Sequence, residues 1–421
     1  MIAKILSQYL QVMGIVPNLA ALLKKITFHP NKVSIKEKVS SYTSVTHVFL
    51  DSILLVHALP LTTDDKKYIR LNKSRWTAVK IIFDIGFALL QLILILKWFD
   101  NQRSNSSERV VTDNWKNILM TFLLVLFIGT CFGLLHLIRF PREIVCVLNC
   151  SNHLEMERNH ERKGVHGYVP YYFIGIMVIS IITITAAPST LFITSFVKPC
   201  MPPSFFTMAA LPCKDWNDIP GHFLAKTAQA LFAVYTGLVV FSTTECGLFV
   251  LLLYPVAVQL LLLDGLERDL DLEKCFRRIF LVQYRKLQLL SRLLNNAWKD
   301  PAVPLVVGCA ILLSSTSLYV VLSSSNQIPQ PVLALYSVGA FDMFVVIQLL
   351  FKILSFPYTR SVELINAARR RLKKGSRCEM KYIVSCSSLK VHLGNGTFFD
   401  RSTSLLVWMT ALDVLVTFLL V

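Results

Sequence analysis

The sequence predicts an all-α membrane protein of seven transmembrane helices, and three observations predict it. Of its 421 residues 54% are hydrophobic and only 16% charged, with a mean hydropathy of +0.55, whereas soluble domains carry about a quarter charged residues. The apolar residues gather into runs of about twenty or more, the length at which a helix rising ~1.5 Å per residue crosses a hydrocarbon core of ~30 Å. Short charged loops separate these runs and leave no room for a separate globular unit. The net charge of +17 comes with no nucleic-acid-binding motif, so nucleic acid is not an expected partner. Topology explains the charge instead.

Residues 1–77 form a basic, moderately apolar segment without the short apolar core and small-residue cleavage site of a signal peptide. Within it residues 45–59 are apolar but interrupted by His47, Asp51 and His57, which predicts an amphipathic helix lying on the membrane rather than a span. Spans are predicted at 78–99, 117–137, 171–197 and 225–263, the first four, filling residues 78–263. The fifth and sixth, 303–323 and 332–354, fill 303–354, and the seventh is 402–421. The fourth run is longer than a bilayer needs and is expected to project beyond it.

Loop charge sets the orientation. Residues 1–77, 138–170, 264–302 and 355–401 hold nearly all the Lys and Arg, whereas 101–116, 198–223 and 324–331 hold few. The positive-inside rule then places the N-terminus in the cytoplasm and, after seven crossings of the plasma membrane, the C-terminus outside. Two of the basic segments are expected to be helical extensions. In 276–294 the residues Phe276, Phe280, Leu287, Leu290 and Leu294 recur at three- and four-residue spacing with Arg and Lys between them, and 361–374 repeats this more weakly. Together they predict a helical bundle beneath the membrane, with a calmodulin-type target or a lipid-headgroup patch as the alternative.

Cys200 and Cys213 fall in the Pro-rich outer loop and are expected to form a disulfide. Of the glycosylation sequons at Asn72, Asn105, Asn149 and Asn395 only Asn105 is on the outside, so Asn105 is the expected acceptor. No catalytic constellation is present: His160-Glu161 is followed by histidine only at His166, no G-x-S-x-G occurs, and the pairs Cys146/Cys150 and Cys378/Cys386 lack the second close pair of a metal site. Neither an enzyme activity, nor a metal site, nor a cofactor is expected.

Asp84, Glu245 and Asp342 interrupt apolar runs, where ionisable groups are functional or tightly paired. Around Asp342 in the sixth span stand Tyr336 and Ser337. The fifth brings Ser314, Ser315, Ser317 and Tyr319, and the fourth Gln229, Tyr235 and Thr236. Aromatic faces beside hydroxyls and one carboxylate suit a small polar ligand such as a sugar, so Gln229, Tyr235, Thr236, Ser315, Tyr319, Tyr336 and Asp342 are the candidate ligand set. Ordinary interhelical hydrogen bonding is the alternative for each of them.

The last run, STSLLVWMTALDVLVTFLLV, carries its polar residues on one side. At ~100° per residue Thr403, Thr410, Asp413 and Thr417 fall within an arc of about 80°, with Leu420 flanking it. Facing lipid, Asp413 would cost ~3 kcal/mol or more. The stripe therefore faces either a polar conduit shared between copies or a polar packing seam.

The stretch FFDRSTSLLVWMTALDVLVTFLLV resembles the ending of receptors in the insect-type gustatory and odorant receptor superfamily. There an Asp-Arg-Ser-like entry precedes a final helix that closes with Thr-Tyr, five hydrophobics and Gln-Phe. The seven spans, the cytoplasmic N-terminus and the extended helical loop after the fourth span are similar too. Asp413, Val414, Leu420 and Val421 stand where the family has Thr, Tyr, Gln and Phe, so the match is one of pattern. The resemblance implies a gustatory receptor acting as a ligand-gated, non-selective cation channel for small tastants. It implies a homotetramer or heteromer held together by the cytoplasmic helices, with lipid around it and a pore lined by the final helices. Pore-lining positions carried over are Thr417 and Leu420, which join Thr410 and Asp413 on the polar side. Two rivals lack support: a seven-span G-protein-coupled receptor needs the opposite orientation and Asp-Arg-Tyr and Asn-Pro-x-x-Tyr motifs, and a secondary transporter needs an internal repeat or paired broken helices.

Overall fold

The structure, a computed structural model, describes residues 41–57, 59–64, 68–105, 114–161, 171–200, 223–272, 276–298, 301–323, 328–371, 377–394 and 396–420. A helix α1 (Tyr42–Val56) leads through a hairpin, β1 (Leu61–Thr63) and β2 (Ile69–Leu71), into α2 (Arg75–Asn105), the first span. The second span is α3 (Asn114–Arg139), followed by α4 (Pro141–Glu161), and the third is α5 (Tyr171–Val197). The fourth runs through α6 (Phe223–Glu245), a π stretch (Cys246–Leu253) and α7 (Tyr254–Leu272). After α8 (Phe276–Ala297) comes the fifth, α9 (Ala302–Ser323). The sixth runs through α10 (Gln330–Val345), a π stretch (Val346–Leu350) and α11 (Phe351–Arg371). A short α12 (Arg377–Ser385) and a hairpin, β3 (His392–Gly394) and β4 (Thr397–Phe398), precede the seventh, α13 (Thr403–Leu420). Seven helices among the described residues are long and apolar enough to cross a membrane.

The fourth helix is the axis. Its stretch CGLFVLLL is apolar all round, and Cys246, Leu248, Phe249, Val250, Leu251, Leu252 and Leu253 are all buried, as a helix surrounded by other helices must be. The third span packs along it most extensively. They meet at Gly237, where a Cβ would stand 3.0 Å from the Cα of Pro188 and 2.9 Å from Leu191 Cδ1. The absence of a side chain therefore sets how close these helices come.

α7 packs against α4, α8 and α11, and α4 packs against α8. Phe280, Leu287, Leu290 and Leu294 are buried, so the predicted stripe of α8 meets protein. Three details differ from expectation. Residues 361–371 do not make a helix of their own; the sixth helix runs through them from Phe351 to Arg371, and 372–374 lie outside the described residues. Pro357, the one residue there that removes a backbone donor, is accommodated inside the helix. The basic segment 138–170 holds a helix rather than a loop alone. Phe140 N–H closes the second span on His136 O at 3.0 Å, and Pro141 begins α4, a position where proline's missing donor costs nothing. The chain is also not helical throughout, since two small hairpins pair Leu61 with Leu71 and His392 with Phe398.

The N-terminal helix turns one side to protein and leaves Val48 and Asp51 exposed on the other. Phe49, Leu50 and Ile53 are almost completely buried, Phe49 edge-on to Phe249 of the fourth helix at 6.5 Å and Tyr42 edge-on to Phe173 of the third at 4.9 Å. Its first turn is fastened to Glu155 of α4, whose carboxylate accepts from Tyr42 N at 2.6 Å, Thr43 N at 3.0 Å and the Thr43 hydroxyl at 2.7 Å. An acid at a helix N-terminus satisfies the orphan donors there and complements the helix dipole. At the other end His57 Nδ1 lies 3.6 Å from Asp84 of the first span.

Candidate pore helix and ligand cavity

The seventh helix starts where Asp400 tells it to. Asp400 Oδ1 accepts from Ser402 N at 3.0 Å, Thr403 N at 2.9 Å and both hydroxyls at 2.8 Å, which satisfies donors the first turn leaves open. Val407, Ala411 and Leu415 are buried, and the helix packs chiefly on the fifth span. Ser315 Oγ lies 2.7 Å from Ala411 O and 2.8 Å from Ile311 O of its own helix. Tyr319 meets Phe418 edge-on at 6.3 Å, and Phe344 of the sixth span meets Trp408 at 6.1 Å.

Thr410, Asp413, Thr417 and Leu420 are all exposed. Thr410 and Thr417 turn their hydroxyls back to Leu406 O and Asp413 O, each at 2.9 Å, while the Asp413 carboxylate meets no partner among the described residues. The same bare side continues into Met409, Leu412, Val416 and Leu419. One flank of the exposed half is thus polar and the other apolar, and the polar flank adjoins the packed face.

Between the second, third, fourth, fifth and sixth spans lies a cavity of about 140 Å³. Its walls are mostly apolar, with Phe122, Phe132, Phe241 and Trp298 among them. Its polar groups are Ser180, Thr243, Thr244, Glu245, Asp342 and His136. Asp342 accepts the Thr183 hydroxyl at 2.9 Å on one oxygen and 3.0 Å on the other. Glu245 stands beside Ser180. Glu245 Oε2, Thr243 Oγ1 and His136 Nε2 are buried without a hydrogen-bond partner. Trp298 Nε1 donates to Leu251 O, a carbonyl of the π stretch, at 3.2 Å. Both carboxylates sit where their helices widen: Glu245 immediately precedes the π stretch of the fourth helix, and Asp342 O accepts from Val346 N–H at the entry to that of the sixth. π turns inside α-helices concentrate at functional sites.

Of the seven residues expected to meet a ligand, the structure brings only Asp342 to this cavity. Thr236 lines a smaller pocket nearby with Phe122 and Leu191. Tyr336 is fully buried with its ring 4.9 Å from Phe122 and its hydroxyl unpartnered, and Gln229 is buried with both amide atoms unpartnered. The Tyr235 hydroxyl donates to Asp84 of the first span. Ser315 and Tyr319 serve the contact with the seventh helix described above. Sequence reasoning singled out Glu245 as an intramembrane acid without assigning it to a ligand. It missed Ser180, Thr183, His136 and Trp298, which no spacing within one helix connects to Asp342. Cys200 is buried and disulfide-bonded; Cys213 lies outside the described residues. Asn105 is the last residue of α2. Among the other sequons, Asn149 is occupied in clasping Ile69, exchanging hydrogen bonds of 2.9 Å with its N–H and C=O.

No known protein family matches the sequence, and no curated protein does. Solved structures do. The insect olfactory receptor OR5 from Machilis hrabei superposes with a TM-score of 0.53 at 13% identity, over 89% of this chain and 96% of that one. The same receptor in complex with eugenol superposes with a TM-score of 0.57 at 10% identity, over 92% and 99%. The chain therefore has the insect olfactory receptor fold.

Proposed function

We propose that this chain is a chemosensory receptor, gustatory in type, that acts as a ligand-gated, non-selective cation channel for small tastants. The observation that carries this is the seventh helix. On a fold shared with an insect olfactory receptor, it leaves an unpartnered carboxylate on an open side next to the face that packs on its own chain. In a ring of copies, four in the homotetramer or heteromer we propose, that flank turns to the axis. Asp413 with Thr410, Thr417 and Leu420 then lines a path whose acidic ring concentrates cations, while the apolar flank meets lipid or a neighbour. The cytoplasmic N-terminus, the plasma-membrane location and the anchoring of subunits by α4, α7, α8 and α11 belong to the same proposal, as does a Cys200–Cys213 disulfide outside and glycosylation at Asn105. The receptor with eugenol supports a small organic molecule as ligand. The cavity beside Glu245 and Asp342 is the site we assign to it; for a sugar, the hydroxyl-bearing set of the fourth to sixth spans would have to converge, and its members lie apart.

Cysteine scanning tests the pore. Thr410→Cys, Asp413→Cys and Thr417→Cys are expected to react with water-soluble thiol reagents and change the current, whereas Ala411→Cys and Leu415→Cys, on the packed face, are expected to stay silent. Asp413→Asn should lower cation conductance or shift cation preference at unchanged surface expression. Reactivity without a helical period, or unchanged conduction through Asp413→Asn, would remove the pore from this helix.

A further inference from the structure

The cavity holds two carboxylates where the membrane interior should allow none without compensation. At ~1.5 Å per residue Ser180 lies roughly 14 Å along the third helix from its start at Tyr171, and Asp342 roughly 18 Å along the sixth from Gln330. Both are therefore far from either membrane surface. Asp342 has the Thr183 hydroxyl. Glu245 is 93% buried by the 7% it exposes, lines the cavity, and leaves Oε2 without a partner. Among the described lining residues there is no Lys or Arg, and the one basic side chain, His136, has its own Nε2 unpartnered. Burying an unpaired polar group costs free energy, and burying an acid costs more. Such a group persists when something else completes it.

We propose that the cavity binds a compact aromatic or aliphatic monoamine, its ammonium between Glu245 and Asp342 and its apolar body among Phe122, Phe241 and Trp298. Two features of the cavity fix this class. The first is size: an engineered apolar cavity of about 150 Å³ accepts one benzene ring, so a volume of about 140 Å³ is on the scale of one ring. The second is charge. An ammonium supplies three donors to acceptors that have too few, and it brings the positive charge the two carboxylates lack. Aromatic faces nearby favour a cation further. A neutral alcohol of the same shape fills the space with one donor and no charge.

This inference names the ligand class for the cavity assigned under the channel reading, and it is tested without relying on current. The full-length protein in lipid nanodiscs is titrated with 2-phenylethylamine and with 2-phenylethanol, which share ring and chain and differ in the ammonium. Since hydrogen bonds to charged groups are worth ~1.5–3 kcal/mol, the amine is expected to bind roughly tenfold or more tightly than the alcohol. Glu245→Gln keeps the shape and removes the charge: it should erase the preference, leave alcohol binding within about twofold, and raise the melting temperature of the ligand-free protein, because an uncompensated acid is gone. A merely structural Glu245 would give a lower melting temperature. Asp342→Asn, which retains a partner for Thr183, is the second variant and should weaken amine binding several-fold. Equal affinity for the two probes, or a preference that survives both substitutions, overturns the proposal. Amine preference without any evoked current supports it while removing the channel reading; evoked currents in a protein that shows no amine preference do the reverse.

Discussion

Asp400 concentrates in one side chain what the seventh helix needs at its start. Burial raises its carboxyl, but hydrogen bonds from Thr403 and Ser402 outweigh this and hold it below an aspartate's usual 3.8. An acid depressed by folding contributes stability that is fully present above its unfolded value and is lost as pH falls through its folded one. Asp400→Ala is therefore expected to destabilise the chain by about 1 kcal/mol, the usual cost of a lost cap. That difference should shrink as pH falls below 3.8 and vanish only below the folded-state value, where the carboxyl is protonated in both states. Thermal melts of the two proteins across this range check it, and a penalty that persists in acid would show that the cap does not depend on charge. At this scale the sequence was partly legible. The polar side of residues 410–420 follows from the spacing of Thr410, Asp413 and Thr417 alone, since ~100° per residue is fixed by the backbone. The partner of Ser315 does not follow: a serine in an apolar helix announces that it will bond to something, and only packing shows that the something is Ala411 O at 2.7 Å.

Elements were more legible than partners. Runs of apolar residues marked the seven long apolar helices because a bilayer demands length and hydrophobicity together, although the fourth and sixth helices run on past them to Leu272 and Arg371, and the stripe of α8 was visible because its period is 3.6. What stayed hidden were features set by neighbours. The burial of α1 depends on Glu155, more than a hundred positions away, receiving its first turn. The sixth helix runs on to Arg371 with α7 alongside it. The crossing of the third and fourth spans belongs here too, since Gly237 could be read as a weak point of a helix, whereas it is the contact point with Pro188. Gly237→Val places a branched side chain where even a Cβ has 3.0 Å to a backbone carbon, and overpacking of this kind costs ~1–3 kcal/mol. A melting temperature lowered by several degrees in detergent is expected. An unchanged one would mean that the two helices separate freely at this point.

Across the whole molecule the fifth span joins the cavity to the seventh helix. The fifth span contributes Cys309 and Leu313 to the cavity wall and, within the next turns, Ser315 and Tyr319 to the packed face of the seventh helix. A ligand that shifted this span would act on the helix carrying Asp413 through a hydrogen bond and a ring contact rather than through a loop. The Ser315 proton is shared between Ile311 O and Ala411 O, so Ser315→Ala removes the link to the seventh helix while the fifth keeps its own backbone bonds. If the two sites are coupled this way, the substitution should leave affinity at the cavity within about twofold, because Ser315 does not line it, and lower the maximal evoked current several-fold, the scale on which coupling energies of ~1–3 kcal/mol act. Direct binding and current are measured on the same variant to separate the two effects. A parallel fall in affinity and current would place Ser315 in the ligand site instead, and wild-type behaviour in both would send the coupling through the Phe344–Trp408 contact of the sixth span.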